Sequence, residues 1–412
     1  MQNNSPVPEI VVTGASGFIG QHFVPALKAD GYNILLCGRD VEKLELQFPE
    51  FECCDLDTLL RRAPGARVLV HLEVRNNNQS GDDDAFMAAN LERLQSIVEI
   101  AKSAGIKGVI YPASLQANAH GKTPYARSKF AAEQYLLAKP QQELNVTLLR
   151  LAAVYESVFK GRLSFLNRLP RFLRNPILTI LGSIKPIVHM DRVIAAMLQA
   201  VKTPENGERI LTDSQEKNLT YGFGRRTIDL VFCFLILVSF WWLLVGVWCS
   251  IKLTSPGPGF FTQERVGRDR KVFICYKFRT MHTGTKQAGT HEISETSVTK
   301  FGAFLRRSKI DELPQIWNIL RGDLSLVGPR PCLPTQTALI HAREEQGVFA
   351  INPGITGLAQ VQKINMSEPK RLAAIDGSYV NLRSLSLDVR IIIMTLIGKG
   401  FGDHVSNHAH SK

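Results

Sequence analysis

Short apolar runs alternate with helical stretches through the first half of the chain. Strands that alternate with helices in this way predict an α/β fold with a doubly wound parallel sheet. The pattern continues to about Leu211. The predicted strands are Glu9–Val12, Tyr32–Cys37, Val68–His71 and Gly108–Tyr111, with the segment Glu52–Asp57 between them and helices at Gln21–Ala29 and near Asn90–Ala104.

A long apolar segment begins soon after a polar, loop-like stretch at 213–218. Leu230–Ile251 contains 22 residues without a charge, three of which are tryptophans. As a helix, at ~1.5 Å per residue, the segment would be ~33 Å long, enough to cross the hydrocarbon core of a bilayer. A buried core helix is the alternative, but soluble helices of this length usually keep a polar face. We therefore predict two domains, at 1–214 and 215–402, and a polar tail at 403–412.

The composition favours anionic partners. The formal net charge is +12, which suits phosphorylated substrates and the headgroups of anionic membrane lipids. We expect no nucleic-acid partner, because no zinc-finger, helix-turn-helix or aromatic RNA-binding pattern appears. The seven cysteines form no CxxC pair, which indicates a reducing compartment. The N-terminus lacks the pattern of a signal peptide, so we expect it to lie in the cytosol.

A glycine-rich turn follows the first predicted strand. Gly14, Gly17 and Gly20 stand three residues apart, with Ser16, Phe18 and Ile19 between them. A turn of this kind lets backbone N–H groups and a helix N-terminus approach a pyrophosphate, although a tight turn without a ligand is the alternative.

A serine, a tyrosine and a lysine accompany the glycine-rich turn. Tyr125 and Lys129 stand one helical turn apart, so they share a helix face. We expect the lysine ammonium to lower the pKa of the phenol, which would then exchange protons with a sugar hydroxyl near neutral pH. Ser114 follows a predicted strand and could hold the same oxygen.

This set resembles the extended short-chain dehydrogenase/reductase family, whose members epimerise, dehydrate or reduce nucleotide sugars. The resemblance covers about 9–213 and implies a Rossmann-like domain that binds NAD or NADP. It places Asp55 and Leu56 on the adenine side of the cofactor. Arg39 follows the second strand, where an acidic residue would bind the ribose of NAD, so NADP is favoured.

Two features of this first domain depart from the family. Tyr155–Val188 is short for the part that binds substrate, and Glu73 stands where a small residue is usual. Two hypotheses therefore remain open. In one, the domain modifies a nucleotide sugar through Ser114, Tyr125 and Lys129. In the other, it is a non-catalytic module that senses nucleotides or acts as a scaffold for the second domain.

Seven ordered blocks in the second half resemble the bacterial sugar transferases known as monotopic phosphoglycosyl transferases, over nearly all of 221–402. Such a domain would be mainly helical and membrane-associated. The blocks begin with Arg226-x-x-Asp229 and end with Pro353–Val361. Between them lie Thr254–Pro258, Phe260–Gly267, Tyr276–Met281, Leu305–Gln315 and Asn318 with Gly322–Pro331.

The resemblance assigns a chemical role to an adjacent pair of carboxylates. Asp311 would attack the sugar-proximal phosphate of a UDP-sugar, release UMP and hold the phosphosugar until undecaprenyl phosphate takes it. Glu312 would help to bind Mg²⁺. The basic residues expected to hold phosphate or uridine are Lys277, Arg279, Arg306 and Arg330. A helix-capping pair is the alternative for the two acids, and contact with anionic lipids is the alternative for the arginines.

The membrane topology follows from this chemistry. UDP-sugars are cytosolic, and basic residues stand on both sides of the apolar segment, so both ends should stay on the cytosolic face of the bacterial inner membrane. We therefore predict a monotopic protein with a re-entrant helix or a helical hairpin. No proline occurs between Arg225 and Ser255 to bend the helix.

Other arrangements remain as weaker hypotheses. A multi-spanning transferase without a covalent intermediate is disfavoured by the single charge-free segment, although Ile391–Ile397 could lie on a membrane surface. His404, His408 and His410 fit a disordered end better than a metal site. A homo-oligomer is compatible with the sequence. The preferred hypothesis is a bifunctional enzyme in which the first domain modifies the nucleotide sugar that the second domain uses.

Overall fold

The computed structural model describes residues 8–76, 79–117, 120–139, 143–159, 161–283 and 297–399. The chain divides into two compact units. The first unit contains the residues up to 175 together with 186–213, and the second contains 176–185 together with the residues from 214 onward. The predicted tail at 403–412, with its three histidines, lies outside the described residues.

Seven parallel strands form the sheet of the first unit, in the order β3-β2-β1-β4-β5-β6-β9. The predicted Rossmann-like, doubly wound parallel sheet is confirmed. The strand order reverses between β1 and β4, and the crevice for a ligand in such a sheet lies at the carboxyl ends of these strands. The strands are β1 Ile10–Thr13, β2 Ile34–Cys37, β3 Glu52–Cys54, β4 Val68–His71, β5 Gly108–Ser114, β6 Asn145–Leu151 and β9 Gly207–Leu211, with β7 Ala153–Tyr155 and β8 Ile187–His189 paired separately.

The strands and helices of this unit form where the sequence supplies their usual signals. All residues of β1 and β4 are buried, because helices cover both faces of a parallel sheet. Asp40, Asp55 and Thr123 cap three of the helices through side-chain oxygens. The helices are α1 Gly20–Ala29, α2 Val41–Gln47, α3 Leu56–Arg62, α4 Asp83–Met87, α5 Arg93–Ser103, α6 Pro124–Leu137, α7 Arg171–Ile184 and α8 Met190–Lys202.

The second unit is mainly helical, as predicted, and contains two small sheets. Its helices are α9 Leu219–Thr254, α10 Lys300–Ser308, α11 Ile316–Arg321, α12 Thr337–Glu345, α13 Leu358–Val361, α14 Pro369–Leu382 and α15 Leu385–Met394. An antiparallel hairpin is formed by β10 Phe260–Val266 and β11 Val272–Phe278, and a parallel pair by β12 Ser325–Val327 and β13 Gly354–Thr356. The last turns of α7 also belong to this unit.

Helix α9 contains the apolar segment and runs without interruption for 36 residues. At ~1.5 Å per residue it is ~54 Å long. Within the described residues it is the one helix long and apolar enough to cross a membrane, and 11% of its most apolar window is buried. A core helix of a soluble protein would be mostly buried. The predicted alternative of a helical hairpin is wrong, because α9 is one continuous helix. The helix contains no proline, which would remove a backbone hydrogen bond and bend it.

One side of α9 packs on the core of the second unit along most of the helix. Cys233, Val247 and Ile251 are buried there, against residues of α10, α11 and β11. The other side exposes large apolar side chains, among them Trp241 and Trp242, each 59% exposed. The helix therefore lies along the unit and leaves an apolar outer face.

Arg226 and Asp229, near the start of α9, are hydrogen-bonded to other elements of the second unit. Asp229 accepts hydrogen bonds from the Ser325 hydroxyl and from the backbone N–H of Leu326 at 2.7 Å. Arg226 donates to the carbonyls of Ile319 and Leu320. The Arg226-x-x-Asp229 block thus fixes the base of the apolar helix to β12 and α11.

Candidate active sites

Asp311 and Glu312 lie on a short 3₁₀ helix, Ile310–Gln315, that joins α10 to α11. The preceding residue, Lys309, has a left-handed backbone with φ 56°, which lets the chain turn sharply after α10. Both carboxylates are largely buried, with Asp311 8% exposed. The pair is therefore buried within the second unit and does not lie on its surface.

Two cations hold the carboxylate of Glu312. Its Oε1 atom accepts from Lys277 Nζ at 2.7 Å and from Arg330 Nη2 at 3.1 Å. Burial opposes ionisation of Glu312, but the charges of Lys277 and Arg330 outweigh it and hold its pKa well below the ordinary value. Glu312 is therefore the member of the pair that loses its proton more readily.

Asp311 has the opposite electrostatics. Burial, reinforced by the negative charge of Glu312, raises the pKa of Asp311 to about 6, while Lys277, Arg306 and Arg330 oppose the rise. Most of the population is ionised at neutral pH. A buried carboxylate that is ionised beside cations suits attack on an anionic phosphate.

The predicted phosphate-binding residues divide into two groups. Lys277, Arg306 and Arg330 all act on Asp311 by charge, and Arg306 also donates to the Thr280 hydroxyl at 3.0 Å. Arg279 is buried and donates to the carbonyls of Ser255 and Pro256 at 2.8 and 2.7 Å. Its described bonds therefore hold the end of α9.

Arg265 is a further arginine close enough to Arg330 and Glu312 to interact with them by charge, and it was not among the predicted site residues. It is largely buried, donates to the Pro331 carbonyl at 2.9 Å and to Gln263 at 2.6 Å, and adds positive charge near Arg330. Burial, with the charge of Arg330, lowers its pKa. The signal was present, because Gln263 and Arg265 belong to one of the seven blocks.

The carboxylate pair fits a magnesium ion that shares its ligands with substrate. No group of three or more His, Cys, Asp and Glu side chains in the described part of the chain could hold a metal ion by itself. Mg²⁺ usually takes one or two protein carboxylates together with water and substrate phosphates. Asp311 and Glu312 supply two adjacent carboxylates, so the residues present suit that mode.

In the first unit, the glycine-rich turn lies between β1 and α1. Gly14 has φ 72°, and a Cβ atom there would lie 2.4 Å from the backbone nitrogen of Glu73. A Cβ atom at Gly20 would lie 2.3 Å from the Ala15 carbonyl oxygen. The first and third glycines of dinucleotide-binding turns allow a tight turn and close packing of this kind, so the turn has the local geometry of that motif.

Ser114 ends β5, whereas Tyr125 and Lys129 lie in the first half of α6, and their electrostatics differ from the prediction. Tyr125 is hydrogen-bonded to Ser114, but burial outweighs that bond and raises the tyrosine pKa. The expected lowering by Lys129 is wrong, because Lys129 Nζ donates to the Tyr111 hydroxyl at 2.6 Å and to the Pro112 carbonyl at 3.1 Å. Burial lowers the pKa of Lys129 itself to about 7.

Glu73 brings an acidic group to the edge where the cofactor is expected. Its carboxylate pairs with Arg39 at 3.2 Å and with Arg93 at 3.5 Å. Arg39, the residue expected to bind a 2′-phosphate, is thus paired with an acid. Asp55 caps α3 through bonds to Thr58, which lower its pKa, and Leu56 is the first residue of that helix.

Comparison with known proteins divides the chain into two halves that correspond closely to the two compact units. Residues 220–399 match the bacterial sugar transferase family, and residues 10–211 match the NAD dependent epimerase/dehydratase family. Among solved structures, the UDP-N-acetylglucosamine 4-epimerase from Bacillus cereus is 18% identical and has a TM-score of 0.39, covering 50% of this chain and 75% of that one.

The curated relatives match the second half. The UDP-glucose:undecaprenyl-phosphate glucose-1-phosphate transferase of Xanthomonas campestris pv. campestris is 38% identical over 41% of this chain and 37% of its own length. A relative of the same name from Caulobacter vibrioides is 37% identical over 42% of this chain and 68% of its own length. This chain spans from about a third to half of the first three relatives, at 37%, 35% and 53%. The chain belongs to the bacterial sugar transferase family, with an N-terminal unit of the NAD dependent epimerase/dehydratase family.

Proposed function

We propose that the second unit transfers a phosphosugar from a UDP-sugar to undecaprenyl phosphate, with Asp311 as the nucleophile. The observation that carries this proposal is the buried Asp311–Glu312 pair with Lys277 and Arg330 against it. The relatives named as undecaprenyl-phosphate glucose-1-phosphate transferases support the same reaction class.

In the first step, a carboxylate oxygen of Asp311 attacks the sugar-proximal phosphorus. The bond from that phosphorus to the bridging oxygen breaks, and UMP leaves with the bridging oxygen and the electron pair. Lys277, Arg306 and Arg330 offset the charge that gathers during the attack. Because Glu312 already binds Lys277 and Arg330, these cations are oriented before substrate arrives.

In the second step, an oxygen of undecaprenyl phosphate attacks the phosphorus of the aspartyl phosphate. The bond to Asp311 breaks and its carboxylate is restored, so the reaction is a double displacement. A magnesium ion held by Asp311, Glu312 and substrate oxygens would supply further neutralisation of phosphate charge.

The proposed location is the cytosolic face of the bacterial inner membrane. The outer face of α9 would lie in the acyl chains, with one side kept on the protein, in a monotopic arrangement. Anionic lipids would bind the basic surface, in keeping with the net charge of +12.

For the first unit we propose NADP-dependent epimerisation or reduction of the nucleotide sugar that the second unit uses. The Ser114–Tyr125 hydrogen bond and the glycine-rich turn support this role. Arg39 favours NADP over NAD. A second candidate, nucleotide sensing or scaffolding without turnover, is favoured by the Glu73 carboxylate at the cofactor edge.

The transferase proposal is tested with purified full-length protein, undecaprenyl phosphate and a panel of UDP-sugars. We expect UMP release and a labelled enzyme intermediate, both absent in Asp311→Asn. Asp269→Asn is the matched control, because Asp269 is exposed and has φ 53°, which asparagine tolerates. Release of UDP, or full activity in Asp311→Asn, would overturn the mechanism.

The first unit is tested in the Asp311→Asn protein, so that the transferase cannot consume the sugar. NADPH and candidate UDP-sugars are added, and absorbance of the reduced cofactor and the identity of the sugar are followed. Turnover that is lost in Tyr125→Phe supports catalysis. Cofactor binding without any turnover across the panel supports the sensing role.

A further inference from the structure

The segment from Ser157 to Met190 is basic and apolar and has no acidic residue. It contains six Lys or Arg residues and no Asp or Glu, whereas the whole chain has 37 acidic residues among 412. A soluble surface normally mixes both signs of charge. A segment with cations alone suits a surface that is itself negative.

Helix α7, within this segment, exposes a row of large apolar side chains. Phe172 is 75% exposed, Ile180 46% and Ile184 42%. With Pro176 they stand four residues apart, so they follow one another along one side of the helix. Arg171 and Lys185, both exposed, stand at its two ends. An apolar row flanked by cations is the pattern of a helix that lies in a membrane interface.

The last turns of α7 are bonded to the beginning of the apolar helix α9. Asn218, which caps α9, donates to the Thr179 carbonyl at 3.1 Å, and Gln215 donates to the Gly182 carbonyl at 2.7 Å. Ser386, in the first turn of α15, donates to the Ile184 carbonyl at 2.6 Å. The C-terminal end of α7 is therefore bonded to the same part of the second unit as the start of α9, the helix that we place in the bilayer.

We propose that α7 is a second membrane-contacting element, which lies in the interface of an anionic bilayer. Ile180 and Ile184 enter the boundary between headgroups and acyl chains, with Phe172 ahead of them on the same helix. Arg171 and Lys185 are attracted to headgroups that carry a net negative charge, and the aliphatic stems of these side chains reach along the apolar surface. The inference rests on the proposed membrane placement of the second unit and adds a contact surface to it.

The test uses environment-sensitive fluorophores on single cysteines in the full-length protein. Cys249 is exposed and the other six cysteines are buried, so Cys249→Ser gives the background. One reporter is placed at Ile184→Cys, one at Trp241→Cys on the outer face of α9, and a control at Leu46→Cys, which is 85% exposed on α2. The protein is reconstituted with phosphatidylethanolamine and phosphatidylglycerol, with a nitroxide quencher on the acyl chains.

We expect several-fold quenching at positions 184 and 241 and none at 46. Quenching at 241 without quenching at 184 would overturn the inference about α7 and leave the proposed function standing. Absence of quenching at both would mean that the membrane placement of the second unit fails.

The charge requirement is tested separately. Arg171→Gln with Lys185→Gln should reduce quenching at 184 several-fold in the anionic vesicles and leave position 241 unchanged. In phosphatidylcholine vesicles the double variant and its parent should be quenched alike. Equal quenching of the two proteins in anionic vesicles would contradict a role for the net negative charge of the headgroups.

Discussion

Lys277 Nζ lies 2.7 Å from Glu312 Oε1, so the acid beside the proposed nucleophile already has a cation bound to it. Lys277 comes from β11 and Glu312 from the 3₁₀ helix that packs on that strand. The pair acts on Asp311 in opposite senses: the lysine lowers the pKa of Asp311 and the glutamate raises it. Changes at the two residues should therefore shift the nucleophile's titration in opposite directions.

Glu312→Gln should lower the pKa of Asp311 and Lys277→Met should raise it, each by about one pH unit, since removal of a nearby charge shifts a carboxylate by this amount. The measurement is the pH dependence of the labelled enzyme intermediate in a single turnover, which isolates the first step. Wild type should show an acidic limb near pH 6.

Arg307→Met is the matched control, because it removes an exposed charge from α10. Its acidic limb should coincide with that of wild type. A shift of both active-site variants in the same direction would show that the limb does not report Asp311.

Asp311→Asn should stabilise the protein above pH 6. The folded pKa of Asp311 is about 6, above its ordinary 3.8. Its favourable contribution is therefore complete below about pH 4 and is lost as the pH rises through 6. At pH 8 the neutral asparagine should add about 3 kcal/mol to the free energy of unfolding. Thermal unfolding at pH 8 and pH 4 checks this: the variant should melt higher only at pH 8, and Asp269→Asn should match wild type at both.

Glu73→Ala should strengthen cofactor binding in the first unit. The backbone of Glu73 lies close to Gly14 of the glycine-rich turn, and its carboxylate is paired with Arg39. Removal of the carboxylate should therefore relieve repulsion of the cofactor phosphates and release the arginine. We expect the Kd for NADPH to fall by about tenfold, or about 1.4 kcal/mol. Titration of NADPH fluorescence measures it, with Glu45→Ala, an exposed acid on α2, as the control. Weaker binding in Glu73→Ala would identify Glu73 as a cofactor ligand.

Arg279→Lys should lower the free energy of unfolding, with little effect on formation of the labelled enzyme intermediate. The guanidinium holds two carbonyls at the end of α9, and a lysine cannot reproduce this planar pair of bonds. The expected loss is about 2 kcal/mol in the free energy of unfolding. The pH profile of the labelled intermediate should stay in place. A displaced acidic limb with unchanged stability would instead place Arg279 at the phosphates.

The fold of the first unit is largely predictable from its sequence, because its buried parallel strands are short apolar runs and several of its helices begin at residues whose side chains cap them. Val68–His71 is predicted and observed with the same bounds. Glu52–Asp57 received no strand or helix assignment from the sequence, and in the structure Glu52–Cys54 is a strand and Asp55 caps a helix. The side chain of Asp55 decides this, because its bond to the Thr58 N–H starts α3.

The proposed site of the second unit is only partly readable. Lys277 and Arg279 stand two residues apart, which places them on one face of an extended strand, but β11 ends at Phe278 and Arg279 instead binds the end of α9. Likewise Tyr125 and Lys129 share a helix face, yet Lys129 bonds to Tyr111 on β5. The spacing of two residues predicts whether their side chains share a face of one strand or helix. It does not predict their hydrogen-bond partners, which come from distant parts of the chain.

The apolar outer face of α9 has a kinetic consequence. A catalytic unit bound to a bilayer encounters a lipid-soluble substrate by two-dimensional diffusion in the membrane. Its nucleotide substrate reaches it by three-dimensional diffusion through the aqueous phase. The second step should then depend on the mole fraction of undecaprenyl phosphate in the membrane, and dilution with inert lipid should slow it at constant total substrate. The first step should be indifferent to that dilution.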